Sequence, residues 1–415
     1  MIRADARLRV VIVNYNGGDL LERAVQSALQ SQWPGEIDVV VVDNASEDDS
    51  AKNVEALPGV HVIWRDTNDG FGANNHGFAD VIGDELEIGL EPAGVIALLN
   101  PDAMFMPSTL RLLAARLDAA SKVGAASPLI LFDRPFVEVD ILGEGITIDS
   151  IVDGIDEIGA QCHGTLGAER LPGDLAPLWL CPSGSQLRVP VDGFGKIVIR
   201  VRSGSGTIAG RAVSGPSELT LSIAEFQTVE VVQNAGVSVG ERGSGVSRGS
   251  CVRLGEDLGP PAPLWCGAAV VFHPEYLAAI GGFDPEYFLY YEDVDLGLRG
   301  QAAGWTTAHV PEAVVKHRHS DRTVQGTELV EVLQHKNRLL TILRHGSRAD
   351  VAKGFGLAAL TPVSIAASVV RNPDQREERM RLAKWRAKSL LGALRGAGHA
   401  ADVRKEDGKN EGHSS

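Results

Sequence analysis

The chain has 415 residues, 44% hydrophobic and 22% charged, with a mean hydropathy near zero, which suffices for two or three domains with sizeable cores. A formal net charge of −15 argues against a general nucleic-acid binder. The four cysteines (Cys162, Cys181, Cys251, Cys266) lack CxxC spacing, which speaks against a zinc cluster and leaves a cytosolic chain with free thiols as the expectation.

Leu8 to Val13 is a short apolar run that reads as a first strand, not as the core of a signal peptide, and it is broken by Asn14-Tyr15-Asn16-Gly17-Gly18. Leu20, Leu21, Ala24, Val25, Ala28 and Leu29 then recur at helical spacing. Ile37 to Val42 is a second strand, closed by Asp43-Asn44-Ala45-Ser46, and the Ser46/Asp49 spacing suits a helix cap. Val60 to Trp64 is a third strand, followed by the Gly- and Asn-rich loop Asn68 to Asn75. Val95 to Leu99 is a fourth, ending at Asn100-Pro101-Asp102-Ala103. Strands that are apolar throughout and alternate with helices predict a parallel sheet buried on both faces. Ligands of such sheets bind at the carboxyl ends of the strands, and here those ends carry Asn14, Asp43, Asn68 and Asp102.

From about residue 146 the texture changes to Gly, Ser, Val and Thr, with alternation in Leu187/Val189/Val191, Ile197/Ile199/Val201 and Leu219/Leu221/Ile223. This predicts a small all-β, sandwich-like insert over residues 146–259, its core at about 176–252. The α/β texture resumes after Gly259-Pro260-Pro261. A strand at Trp265 to Phe272 is followed by Tyr287-Phe288-Leu289-Tyr290-Tyr291-Glu292-Asp293-Val294-Asp295, an aromatic run ahead of three acids. Acids in a dry place are tuned into bases; equally, acids in a first helical turn complement the macrodipole. Two short strands, Trp305 to Val310 and Ala313 to His317, and a helix over Leu329 to Leu343 complete the fold.

Residues 346–398 read as C-terminal helices and 399–415 as a disordered tail. Gly354 to Val370 is apolar, and Arg371 to Lys405 holds ten Lys and Arg against four Asp and Glu. That pairing suits either a surface resting on anionic lipid or a packed helix with a solvated basic face.

Together, Val11-Ile12-Val13-Asn14-Tyr15-Asn16, Val42-Asp43-Asn44-Ala45-Ser46, Asn68 to Asn75, Leu98 to Ala103, Gly281-Gly282-Phe283-Asp284, Tyr287 to Arg299 and Pro311 to His317 stand in a recognisable order. The chain resembles the family 2 glycosyltransferases of the GT-A fold, and within them the rhamnosyltransferase-like branch that acts on bacterial cell-surface glycans. The resemblance covers roughly residues 8–145 and 263–345; the β-rich insert has no counterpart in it. It implies a Rossmann-like, mostly parallel sheet split into a nucleotide-sugar part (1–145) and an acceptor part (260–345).

The resemblance also implies the chemistry. A divalent ion, Mg²⁺ or Mn²⁺, would neutralise the leaving diphosphate. The family holds it on a D-x-D motif, where this chain has Asn100-Pro101-Asp102. Asp102 is then the metal ligand, with His317 a further metal or diphosphate contact and Asn100 a neutral substitute for the first acid. Asp293 would be the general base, with Glu292 beside it positioning the acceptor or raising its partner's pKa, while Asp295 caps the helix. Asn14 and Tyr15 would lie near the nucleobase, Asp43 and Asn44 at the base or ribose, and Asn68, Gly70, Phe71 and Asn74 along the ribose and diphosphate. One base and one displacement imply inversion. The donor, dTDP-rhamnose or a UDP-sugar, is not decided by these residues, nor is the acceptor, a glycan or a lipid-linked sugar. The expected place of work is the cytoplasm, peripheral on the inner face of the plasma membrane; a homo-oligomer is allowed. A carbohydrate-binding scaffold with a catalytically weak GT-A domain is the alternative.

Overall fold

The computed structural model describes residues 2–3, 5–153, 156–158, 161–171, 178–192, 195–240, 243–318, 327–370 and 376–411. It divides into two compact units, one of residues 1–131, 233–250 and 258–415, the other of residues 132–232 and 251–257.

The first unit is built on strands β1 (Leu8–Asn14), β2 (Ile37–Asn44), β3 (Val60–Arg65), β4 (Val95–Leu99), β5 (Ala103–Phe105), β6 (Val123–Phe132), β7 (Ala269–Phe272) and β8 (Thr306–His317). Their order across the sheet is β3-β2-β1-β4-β7-β6-β8-β5. β1 runs parallel to β2 and β4, and β2 to β3, whereas β7 is antiparallel to β4 and β8 to β5. This is the α/β architecture expected, with a mixed sheet: the β3-β2-β1-β4 half is parallel, while β7 is antiparallel to both β4 and β6 and β8 to β5. The cause is visible in β1, where Val10, Val11 and Ile12 are all fully buried, alternate residues entering different cores on the two faces. Each such side chain contributes roughly 1.5–3 kcal/mol of burial. Helix α1 (Asp19–Leu29) covers one face with the stripe Leu21, Ala24, Val25 and Ala28.

The start of β7 pairs beside the end of β4, and the finish of β8 is in register with Ala103 just past that end, so both join the carboxyl ends of β1, β2 and β4 along one edge. Helices α2 (Glu292–Ala302), α3 (Glu328–His345), α4 (Arg348–Ala367) and α5 (Arg376–Glu411) complete the unit. Pro311 does not split the strand into two as expected; β8 is continuous. α5 runs through residues expected to be a disordered tail, and 412–415 lie outside the described residues.

In the second unit, among the described residues, ten strands join one antiparallel sheet around the 18-residue strand Phe136–Asp153. The insert is all-β as expected, its strands joined in one hydrogen-bonded network. The boundaries differ. The unit begins at Phe132, not 146, because Val137, Val139 and Ile141 already alternate into its core with Leu187, Val189, Ile197 and Ile199. Gly143 and Gly206 allow Phe136–Asp153 and Lys196–Ile208 to approach closely, since a Cβ on Gly206 would lie 2.1 Å from the Leu142 carbonyl oxygen. Residues 233–250, expected within the insert, belong instead to the first unit.

Candidate active site

The loops ending β1 and β2 tie themselves together. The buried Asn14 amide donates to Asp43 Oδ1 (2.8 Å), Ser50 Oγ (2.9 Å) and Ser46 Oγ (3.0 Å), and its Oδ1 accepts from Gly17 N–H. Asp43 Oδ2 accepts from Ser46 N–H. Ser46 therefore braces this knot instead of capping the next helix, whose N-cap, Asp49, makes no side-chain cap bond. Tyr15 stands about half exposed at the rim.

The glycine loop repeats the pattern. Asn44 donates to Asn68 Oδ1 (2.9 Å) and the Gly70 carbonyl (3.0 Å), and accepts from Asp69 N–H (2.8 Å). Asn74 donates to the Phe71 carbonyl. Gly70 has φ +65°, and a Cβ there would meet the Phe288 carbonyl oxygen at 2.1 Å, so only glycine fits. Phe71 N–H donates to that same Phe288 oxygen (2.7 Å), and its ring packs edge-on against Phe283. Asn75, which sequence reasoning left without a role, spans Phe283 with its amide donating to the carbonyl and its oxygen accepting from the N–H. The glycine loop and the aromatic run before the acids are thus one assembly.

Asp102 and His317 meet as expected: Asp102 Oδ1 lies 3.0 Å from His317 Nε2, because Ala103 of β5 is in register with His317 of β8. His317 Nδ1 lies 2.6 Å from Gln233 Oε1. Gln233 was not foreseen, since its strand was assigned to the insert, yet it fixes the ring in the way outer partners orient metal-binding histidines. Asp102 precedes β5 and His317 ends β8, so one oxygen and one nitrogen donor that could hold a divalent cation stand side by side. Among the described residues no group of three His, Cys, Asp or Glu forms around a common point, so a cation there draws the rest of its shell from elsewhere. The set fits an ion that is shared with a diphosphate.

The acidic turn is held from behind. Phe288, Tyr290 and Tyr291 all take positive φ (59°, 69° and 70°), an uncommon conformation for non-glycine residues. The fully buried Asn337 of α3 holds this loop with its amide within 2.7–2.8 Å of the Tyr287, Leu289 and Tyr290 carbonyls. Glu292 and Asp293 follow at the start of α2. Burial, and then the Asp293 charge, pushes Glu292 well above the usual carboxylate range, and its Oε2 is buried without a hydrogen-bond partner. Burial also raises Asp293, against the opposing pull of the Gly267 and Val294 N–H groups on its two oxygens (3.0 and 2.8 Å).

Asp295 does not cap the helix. It is fully buried against Arg299 (3.0 Å), Arg344 (3.0 Å) and His345 (2.8 Å), with Tyr287 Oη at 3.3 Å. Burial alone would raise its pKa, but Arg299 leads the charges that pull it well below the usual range. It is a structural hub.

The two expected carboxylate sites converge. Asn100 N–H donates to the Ala268 carbonyl (2.9 Å), and the adjacent Gly267 N–H donates to Asp293 Oδ2 (3.0 Å). A Cβ on Gly267 would lie 3.2 Å from the Phe71 ring and 3.5 Å from Asp293. One backbone step at the head of β7 therefore joins the Asn100-Pro101-Asp102 turn, the glycine loop and the raised acid.

Residues 9–136 match the model of glycosyl transferase family 2, and residues 221–338 that of glycosyl transferase family group 2. An N-acetylglucosaminyl-diphospho-decaprenol L-rhamnosyltransferase of Mycobacterium tuberculosis is 40% identical over 63 residues, 15% of this chain and 20% of the relative. Succinoglycan biosynthesis protein ExoO of Rhizobium meliloti is 37% identical over 113 residues, 26% of this chain and 29% of the relative. The matches thus span less than a third of these curated relatives. Among solved structures, mannosyltransferase PcManGT of Pyrobaculum calidifontis, in complex with GDP-Man and Mn²⁺, has a TM-score of 0.42 at 13% identity, covering 95% of this chain and 89% of that one. S. aureus TarS 1–349 in complex with UDP scores 0.38 at 12% identity, covering 96% and 92%.

Proposed function

We propose, on the premise that the chain belongs to glycosyl transferase family 2, that it moves a sugar from a nucleoside-diphosphate donor to an acceptor hydroxyl with inversion. The observation that carries this is the single step Gly267–Ala268, which ties a carboxyl of raised pKa to the turn bearing Asp102.

Asp293 takes the acceptor's hydroxyl proton as the oxygen attacks the anomeric carbon, the bond from that carbon to the diphosphate oxygen breaks, and the nucleoside diphosphate leaves. A base with a pKa above the ordinary carboxylate value takes up that proton more readily. Glu292, whose own pKa is pushed up by burial and by the Asp293 charge and whose Oε2 is buried without a hydrogen-bond partner, presents a hydrogen-bonding group to the acceptor. Asp102 and His317 would hold a divalent cation, which supplies positive charge to the departing diphosphate. Gly70 and Phe71 close the donor side against Phe288.

The donor we favour is dTDP-rhamnose, and the acceptor a lipid-linked or cell-surface glycan, in line with the name of the mycobacterial rhamnosyltransferase. A scaffold that binds sugars without turning them over is the second reading, favoured by Asn100 standing where the family has an acid. Incubating the protein with Mn²⁺ and a panel of nucleotide sugars, with nucleoside diphosphate release as readout, separates the two. Release from one donor that EDTA abolishes supports the transferase. Glycan binding with no release from any donor supports the scaffold.

A further inference from the structure

We propose that the helical hairpin of α4 and α5 is a docking surface for the headgroup region of an anionic lipid bilayer, a property independent of the catalytic reading. α4 carries no charged residue after Lys353, and the charge-free run extends from Gly354 to Val370. A helix of that composition in a water-exposed protein normally turns inward, yet only 6% of its most apolar window is buried. Leu357, Leu360, Val363 and Val370 are 41, 66, 67 and 86% exposed, and helical spacing puts them on one side. The other side is already used: Phe355 and Ala358 pack into the cluster of Leu339 and Leu340 from α3 and Ala393 from α5. The exposed side is therefore a second apolar face on a helix whose first is satisfied.

Charge identifies the occupant. Exposed residues of α5 pair apolar Met380, Leu391 and Leu394 with basic Arg381, Lys384 and Arg395. These sit in a stretch with a basic excess, within a chain of net charge −15. A second copy would bring the same basic face and be repelled, whereas anionic headgroups complement it. The packing of α5 along α4 also decides the depth. If α4 crossed the hydrocarbon, the arginines and lysines of α5 would be carried in with it. Lying in the interface keeps apolar side chains among acyl chains and the bases at the headgroups.

The test is flotation of the full chain with vesicles of phosphatidylglycerol and phosphatidylcholine, against phosphatidylcholine alone. The expected result is flotation with the anionic vesicles only, weakened by salt. Leu360→Glu/Val363→Glu should lose at least tenfold in apparent affinity. Arg381→Glu/Lys384→Glu, which leaves the apolar face intact, should lose the preference for anionic lipid. The substituted side chains are not buried, so circular dichroism should be unchanged, and donor release, if present, should be too. Absence of wild-type flotation, or a Leu360→Glu/Val363→Glu protein that floats like wild type, overturns the proposal. A lipid-free dimer that dissociates in Leu360→Glu/Val363→Glu, with no flotation, assigns the face to a second copy and also overturns it.

Discussion

The loops that end β1 and β2 and the turn that opens α2 are equally polar, but they are finished differently. Around Asn14, Asp43, Asn44 and Asn68, side chains satisfy one another and the neighbouring backbone. In the acidic turn, Glu292 has a buried oxygen with no partner, and both Glu292 and Asp293 are shifted upward. Satisfied polar networks fix a shape, while an under-satisfied buried acid is a reactive group held ready. The contrast repeats inside α2, where Asp295, two residues on from Asp293, is surrounded by cations and shifted the other way. Neighbouring acids in one helix thus separate into a pair shifted upward and one held as a structural anion.

Substitutions sharpen this division. The largest effect on stability is expected for Asp295→Asn, which leaves Arg299 and Arg344 buried against a neutral group, costing about 3–5 kcal/mol. Its pKa is depressed in the folded state, so the stabilisation is present above the ordinary value of 3.8 and is lost as pH falls through the folded value. The gap between wild type and variant in thermal midpoint should therefore close in strong acid. Asn337→Ala should cost about 1–3 kcal/mol by leaving loop carbonyls unpaired, and should lower turnover more than that loss of stability explains. Gln233→Leu should leave the fold intact and weaken Mn²⁺ binding about 10- to 100-fold, read by titrating the metal in the release assay.

The smallest effect carries the opposite sign. Glu292 has a raised pKa, so its contribution is favourable below the ordinary value of 4.5 and is lost as pH rises through the folded value. Glu292→Gln removes that penalty and should be more stable than wild type at neutral pH, with no difference near pH 4, while losing activity. A variant less stable than wild type at pH 8 would place Glu292 with Asp295 and break the contrast.

The sheet was legible because Val39 to Val42 and Val95 to Leu99 are short apolar runs on both faces, bounded by polar turns, the pattern of a covered parallel strand. The pairing of Asp102 with His317 followed from the family's motif order. What escaped notice depends on distant partners. Asp295 looked like a cap because Arg344 and His345 lie about fifty residues further along the chain, and no local pattern announces them. Gln233 was hidden within a β-rich stretch whose last strand turned out to belong to the other unit. The resemblance puts Asn14 and Asn44 beside the ligand, and in the structure their side chains build the loops that would receive it. The β unit's early start was missed because the alternation at Val137, Val139 and Ile141 precedes the change in composition.

In the proposed reaction two carboxylates divide the work at one edge, Asp102 on the donor side and Asp293 on the acceptor. The direct measurement is thermal protection by nucleoside diphosphate with Mn²⁺, taken together with turnover, in Asp293→Asn and Asp102→Asn. The expected result is that Asp293→Asn keeps nucleotide protection and loses about 10²- to 10⁴-fold in turnover, while Asp102→Asn loses both. An Asp293→Asn protein that turns over donor and acceptor like wild type would contradict the account.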